Sequence, residues 1–140
     1  MKLVVDANIL FSALLKDSGT RKLLLDRRLS LFAPKFLLLE YVKYSKGLRS
    51  RSKLREDDFA SLSKMLLGRI RLISDEEIML YYSAARSLVD DSKDAPYVAC
   101  ALAADADLWS NDRHLKGIRV KNWATKELME KMQKSAPTTR

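Results

Sequence analysis

The chain has 140 residues, a usual size for one domain and enough to bury about two-thirds of the surface its unfolded form exposes. Apolar residues make up 47% of it, glycine occupies only four positions and Cys100 is the one cysteine. This excludes a fibrous or disordered chain and an internal disulfide framework, so a cytoplasmic setting is expected. The net charge of +8 comes without a signal-peptide pattern at Met1-Lys2-Leu3-Val4-Val5-Asp6 or an uncharged apolar stretch of membrane-spanning length, so no membrane partner is expected.

In chain order, Leu3-Val4-Val5 reads as a short buried strand. A helix around Ser18 to Arg28 follows, then a second strand at Leu31-Phe32-Ala33. Pro34 opens the next helix, which runs through Glu40 to about Ser45. Glu56-Asp57-Asp58 begins another, its acids placed where the helix dipole favours them. Ile70-Arg71-Leu72-Ile73 is a third strand, and Ser74 with Glu77 forms a capping-box pattern for a helix to about Val89. Pro96 marks the first turn of a helix whose Ala95, Ala99, Ala101, Ala103 and Ala104 allow close packing on a sheet. Leu108-Trp109-Ser110 and Ile118-Arg119-Val120 are the fourth and fifth strands, and an amphipathic helix from Lys126 to Met132 closes a single domain spanning 1–135. Residues 136–140 are expected to form a flexible tail.

Strands alternating with helices predict an α/β fold, a doubly wound sheet whose site lies at the carboxyl ends of strands where the strand order reverses. In a sheet of order 3-2-1-4-5, Asp6 after the first strand and Asp112 after the fourth meet at that point. Asp94 stands at a helix start, where the dipole keeps a carboxylate ionised. Glu40 interrupts the apolar run Phe36-Leu37-Leu38-Leu39, where an acid has no packing value. Taken singly, Asp94 and Asp112 also read as helix caps, Asp6 as a strand-end turn residue and Glu40 as a partner of Lys43 or Tyr44. Together, several carboxylates in one cleft repel one another unless a cation neutralises them. Oxygen ligands without a His or Cys cluster suit Mg²⁺ or Mn²⁺, ions that activate water and offset charge on a phosphodiester's leaving oxygen.

These residues carry a resemblance. Val5-Asp6-Ala7-Asn8-Ile9-Leu10, then Glu40, then Asp94-Ala95-Pro96-Tyr97-Val98-Ala99, then Ser110-Asn111-Asp112 is similar to the PIN-domain family, in particular to VapC-like ribonucleases of prokaryotes, over essentially residues 1–122. The resemblance implies a three-layer fold with a five-stranded parallel sheet of order 3-2-1-4-5, and a Mg²⁺- or Mn²⁺-dependent endoribonuclease. It implies that Asp6, Glu40, Asp94 and Asp112 form the catalytic metal site, with Asn8 and Ser110 orienting the acids through hydrogen bonds. It also implies a homodimer and, for a toxin of a toxin–antitoxin pair, a small antitoxin as partner. The family holds silent members too, so a catalytically inactive RNA-binding or scaffold protein is the alternative. A haloacid-dehalogenase-like phosphotransferase would want an aspartate where this chain has Asn8, and a phosphoacceptor domain leaves Glu40 unexplained.

The charge is unevenly laid out. Lys43, Lys46, Arg49, Arg51, Lys53 and Arg55 lie between Tyr41 and Arg55 with no acid among them, the composition of a track for an RNA backbone. A solubilising loop or a docking surface for an acidic partner is the plainer reading. Asp90 and Asp91 could extend the metal site but read better as solvated helix-end residues. His114 reads as a surface residue, Cys100 as a small core residue, and Trp109 and Trp123 as packing.

Overall fold

The computed structural model describes residues 1–135; the tail expected at 136–140 lies outside the described residues. Five parallel strands, β1 (Lys2–Val5), β2 (Ser30–Pro34), β3 (Ile70–Ile73), β4 (Asp107–Trp109) and β5 (Asn122–Trp123), form one sheet of order β3-β2-β1-β4-β5. Seven helices flank it: α1 (Ala7–Leu15), α2 (Gly19–Leu24), α3 (Phe36–Ser52), α4 (Glu56–Leu67), α5 (Asp75–Leu88), α6 (Ala95–Ala104) and α7 (Thr125–Lys134). This is the fold expected from the sequence.

The chain steps from β1 to β2 to β3 in one direction, then crosses back to β4. Right-handed crossovers therefore set α1 to α4 on one face and α5 and α6 on the other. The packing agrees: α1 meets α2, α3 and α4, while α5 pairs with α6, which lies across β1, β2 and β4. Small side chains make that approach possible, because Ala95, Ala99 and Ala101 are buried and add almost no thickness to α6. The reversal falls between β1 and β4, whose register pairs Val5 with Trp109. Whatever follows those two residues is thereby brought together. Among the described residues no helix is long and apolar enough to cross a membrane.

Four details differ from the sequence reading. The short helix α1 was absent from it, because only Asn8 and Ser12 break the apolar run from Ala7 to Leu15, too narrow a polar stripe to mark a helix; Ile9, Leu10, Ala13 and Leu14 are all buried. The helix expected over Ser18 to Arg28 is only Gly19–Leu24. Arg69 stops it, donating to the carbonyls of Leu24, Asp26 and Leu29, while Asp26 folds back on Arg28. Pro34 ends β2, in register with Ile73, instead of opening α3; that helix runs on to Ser52, because lysine and arginine are good helix formers, and Lys53 closes it in the left-handed region at φ 62°. The fifth strand is Asn122–Trp123, not residues 118–120. Its pairing is fixed by side chains as well as backbone: Asn122 Nδ2 donates to the Ser110 carbonyl and Trp123 Nε1 to Asp107.

The close seating of α6 makes a direct prediction. Ala99→Leu puts a branched side chain into a fully buried position and should destabilise the protein by about 1–3 kcal/mol in urea unfolding. An unchanged unfolding midpoint would show that α6 has slack against the sheet.

Candidate active site

Asp6 leaves β1 at the reversal point, and its amide donates to the Trp109 carbonyl at 3.1 Å, which ties it to the end of β4. Its carboxylate accepts a 2.8 Å hydrogen bond from the Ser110 hydroxyl, which itself accepts from the Asp112 amide at 3.0 Å. One buried hydroxyl thus joins the tips of two strands, and the two bonds satisfy it where water cannot reach. Burial raises the pKa of Asp6. The Ser110 hydroxyl and the amides of Asn8 and Ala7 oppose that rise, and the charge of Asp112 adds to it.

Asp94 sits at the N-terminus of α6, yet its side chain makes no cap hydrogen bond. Capping in this loop falls to Asp91, which accepts from the Lys93 amide at 2.9 Å. The Asp94 carboxyl is pushed up to about 6, first by burial and then by the charges of Asp112, Asp91 and Asp6, with His114 opposing weakly. Asp112 does cap the turn after it, accepting from the His114 amide at 2.9 Å, with the exposed His114 ring 3.3 Å away.

Glu40 reaches the same region from α3. Its carboxylate accepts a 2.5 Å hydrogen bond from the Tyr97 hydroxyl. Burial and then the Glu40 bond push the Tyr97 phenol far above its ordinary pKa, and it also feels the charges of Asp6 and Asp94. Tyr97 lies three residues after Asp94, on the same face of α6, so it links Glu40 to the other acids. The sequence reading passed over it. A buried tyrosine in an alanine-rich helix needs a partner for its hydroxyl, and that was the available signal. Asn8 approaches Asp6 through its main-chain amide, while its side chain is exposed beside Glu40.

The balance of charge here is one-sided. Among the described residues, no lysine or arginine forms an ion pair with Asp6, Glu40, Asp94 or Asp112. Nor do any three His, Cys, Asp or Glu side chains among them stand close enough to cage an ion. The donors are all oxygens, the charge of Asp112 helps raise the pKa of both Asp6 and Asp94, and the four are loosely spaced. That combination fits a hard divalent ion which keeps several waters and takes only a few carboxylates, as Mg²⁺ does.

The basic run divides. Arg51 lines a groove beside Glu40, and Lys43 lines a smaller pocket with Glu40 and Lys93. Arg55 is engaged with Asp57 and Asp58 at 3.3 and 3.8 Å. Lys46 lies roughly 200° around the helix from Tyr44, and Arg49 roughly 140°, away from that groove. Lys53 is the left-handed residue that closes α3. Elsewhere, Cys100 is buried, with its thiol pushed up to about 12 by that burial. Trp109 is fully buried and donates to Thr125, and Trp123 donates to Asp107.

Comparison with known proteins adds two findings. A family model described as PIN domain matches residues 4–133. Among solved structures, the chain is similar to one described as VapBC2 from Rickettsia felis bound to a DNA fragment from their promoter, at 20% identity and a TM-score of 0.68. That match covers 89% of this chain and 98% of the other, and at this identity it shows the fold. No curated protein matches the chain by sequence.

The pKa of Asp94 has a consequence for stability. It is raised from 3.8 to about 6, so its contribution is fully present below pH 3.8 and is lost as pH rises through 6. The metal-free protein should therefore lose stability across that window, by about 1 kcal/mol once solvent screening of this half-exposed group is allowed for. Asp94→Asn should be more stable than wild type at pH 7 and show a flatter profile in thermal melts with chelator. Equal melting temperatures at pH 7 would remove the repulsion from the account.

Proposed function

The chain belongs to the PIN-domain family, and on that premise we propose that it is a Mg²⁺- or Mn²⁺-dependent endoribonuclease that hydrolyses RNA phosphodiester bonds. The observation that carries this reading is the uncompensated acidic cluster at the ends of β1 and β4. Asp6, Asp94 and Asp112 would hold the cation, with Glu40 completing the set from α3. A divalent ion at such a site lowers the pKa of water and offsets charge on the leaving oxygen.

The protein's own part is placement. Ser110 locks the Asp6 carboxylate in one orientation through its 2.8 Å bond, so little reorganisation is needed when a cation arrives. The Tyr97 hydroxyl does the same for Glu40 through one of its two carboxylate oxygens. Lys43 and Lys93 beside Glu40 would meet the phosphates of an RNA chain entering the site.

Two partners follow from the same reading. The resemblance to VapC-like proteins, with a fold shared with a structure described as VapBC2, supports a toxin held by a small antitoxin. A second copy of the chain fits an apolar face formed by α3 and α5. There Leu39 and Met79, 69% and 72% exposed, line a cleft of about 890 Å³, and Val42, 70% exposed, follows Leu39 one turn along α3. A two-fold pairing sets such a patch against itself and removes it from water. The cleft also carries one cation and one anion, Lys35 and Asp75, which a two-fold axis would bring opposite each other's counterpart.

Cleavage of a mixed RNA should require added Mn²⁺ or Mg²⁺ and stop in excess EDTA. Asp6→Asn and Asp94→Asn should each lower it by more than about 100-fold while the protein stays folded, since even groups that only orient ligands cost 10–100-fold. Undiminished activity in EDTA contradicts the metal requirement. A folded wild type that cleaves no RNA under any metal returns the chain to a silent RNA-binding or scaffold role.

In light scattering at high micromolar concentration the wild type should be a dimer. Met79→Asp, at an exposed position lining that cleft, should be a monomer with an unchanged circular dichroism spectrum. A monomeric wild type contradicts the pairing.

A further inference from the structure

Beside Glu40 a groove of about 630 Å³ runs between α1 and α3. Along α3 it is lined by Glu40, Tyr44, Gly47 and Arg51, spaced so that all lie on one stripe of the helix; Phe11 on α1 and Lys16 just past its end line the other side. From Glu40 to Arg51 the stripe extends roughly 16 Å along the helix axis. Its chemistry changes along that length. One end is the acidic candidate site, the middle is aromatic, and the far end is cationic. Among the described residues neither Lys16 nor Arg51 is engaged by an acid.

The aromatic middle is built, not incidental. Phe11 holds Tyr44 in an edge-to-face contact, with centroids 5.7 Å apart and planes at 66°. Tyr44 is nonetheless 43% exposed, with the Lys43 ammonium over the ring 5.3 Å from its centroid, so solvent reaches the ring and a stacking base would meet that cation at its edge. A rigid, partly exposed ring with cations on either side is the arrangement that binds single-stranded nucleic acid, the ring stacking a base and the cations taking phosphates.

Gly47 gives a second, independent reason. It lies in the middle of α3, where glycine costs roughly 0.5–1 kcal/mol against alanine, and its backbone is not in the left-handed region. A Cβ built there meets nothing within 4 Å. The fold has no steric need for a glycine at this position; the space it leaves belongs to the groove.

We propose that this groove carries the single-stranded RNA chain on one side of the scissile phosphate, with Tyr44 as the platform for one unpaired base and Lys16 and Arg51 as partners of phosphates beyond it. The proposal rests on the ribonuclease reading above and adds the path of the substrate. A segment of a partner protein would be the competing occupant. An acidic peptide would satisfy Lys16 and Arg51 equally well, but would leave the ring of Tyr44 without a base to stack on.

The test is binding of a fluorescein-labelled, unstructured RNA oligonucleotide to the full chain carrying Asp94→Asn, with Mg²⁺ present and salt varied. Adding Tyr44→Leu should weaken binding roughly 5- to 150-fold, the loss expected of one base stack, and Tyr44→Phe should restore it. Gly47→Leu should weaken binding while raising the melting temperature, a combination that misfolding does not produce. Lys16→Ala with Arg51→Ala should flatten the log–log salt dependence by roughly 1.4, at 0.7 per phosphate contact. If the wild type cleaves RNA but Tyr44→Leu and Gly47→Leu bind it as well as their parent, the groove does not carry RNA. The proposal is then overturned and the groove is left to a protein segment, while the ribonuclease reading stands. If the wild type cleaves nothing yet Tyr44→Leu loses affinity, the groove binds RNA and it is the ribonuclease reading that fails.

Discussion

The repulsion among carboxylates gathered at the tips of β1 and β4 is the constraint on which the rest of the site depends. Parallel pairing of Val5 with Trp109 obliges Asp6 and the Ser110–Asp112 segment to leave the sheet side by side. Burial then denies Asp6 the water that would screen its charge, and Asp94 is held near enough to feel Asp6 and Asp112 together. A group of this kind destabilises the empty protein, and the cost is tolerated only where a cation or a proton relieves it.

The surroundings are arranged to hold that strain. The Ser110 hydroxyl bonds both to Asp6 and to the backbone of Asp112, so neither strand tip can swing away from the other. Alanines on α6 let Asp94 and Tyr97 approach the sheet edge closely, and Tyr97 in turn fixes Glu40 from the opposite face of the molecule. The acids come from four separate stretches of chain, yet each is anchored through a buried hydroxyl or a strand or helix end. Under the proposed reading, anchoring of this sort would limit how far each carboxylate must move to take up a cation. The basic residues play a different part. Lys43, Lys93 and Arg51 border the pockets beside Glu40, and under the proposed reading their salt-screened charge would bear on encounter and affinity.

Much of this was legible in the sequence because it rests on short-range patterning. The strand ends at Asp6 and Ser110, the Ser74 N-cap that accepts from the Glu77 amide, and the alanine-rich helix after Asp94 all appear where local chemistry points. What stayed hidden was set by contacts distant in sequence. Helix α1 has only Asn8 and Ser12 as a polar stripe to give it away, and β5 is placed by the side-chain bonds of Asn122 and Trp123 where residues 118–120 have the better strand composition. The basic run looked like one track, but a helix distributes its residues around a cylinder, and only Arg51 reaches the groove. Its partner there, Lys16, is thirty-five positions away in the chain and carries no local signal of the pairing. Tyr97 was visible as a residue, though not as the donor to an acid fifty-seven positions earlier.

The central claim is that the acids at the sheet reversal stand ready for a divalent cation, and calorimetric titration of the chelator-treated protein with Mn²⁺ tests it most directly. The account predicts saturable binding to the wild type that is markedly weakened in Asp6→Asn, in Asp94→Asn and in Asp112→Asn, each confirmed as folded. Binding of equal strength in the wild type and all three variants, or no binding to the wild type at millimolar Mn²⁺, would contradict it.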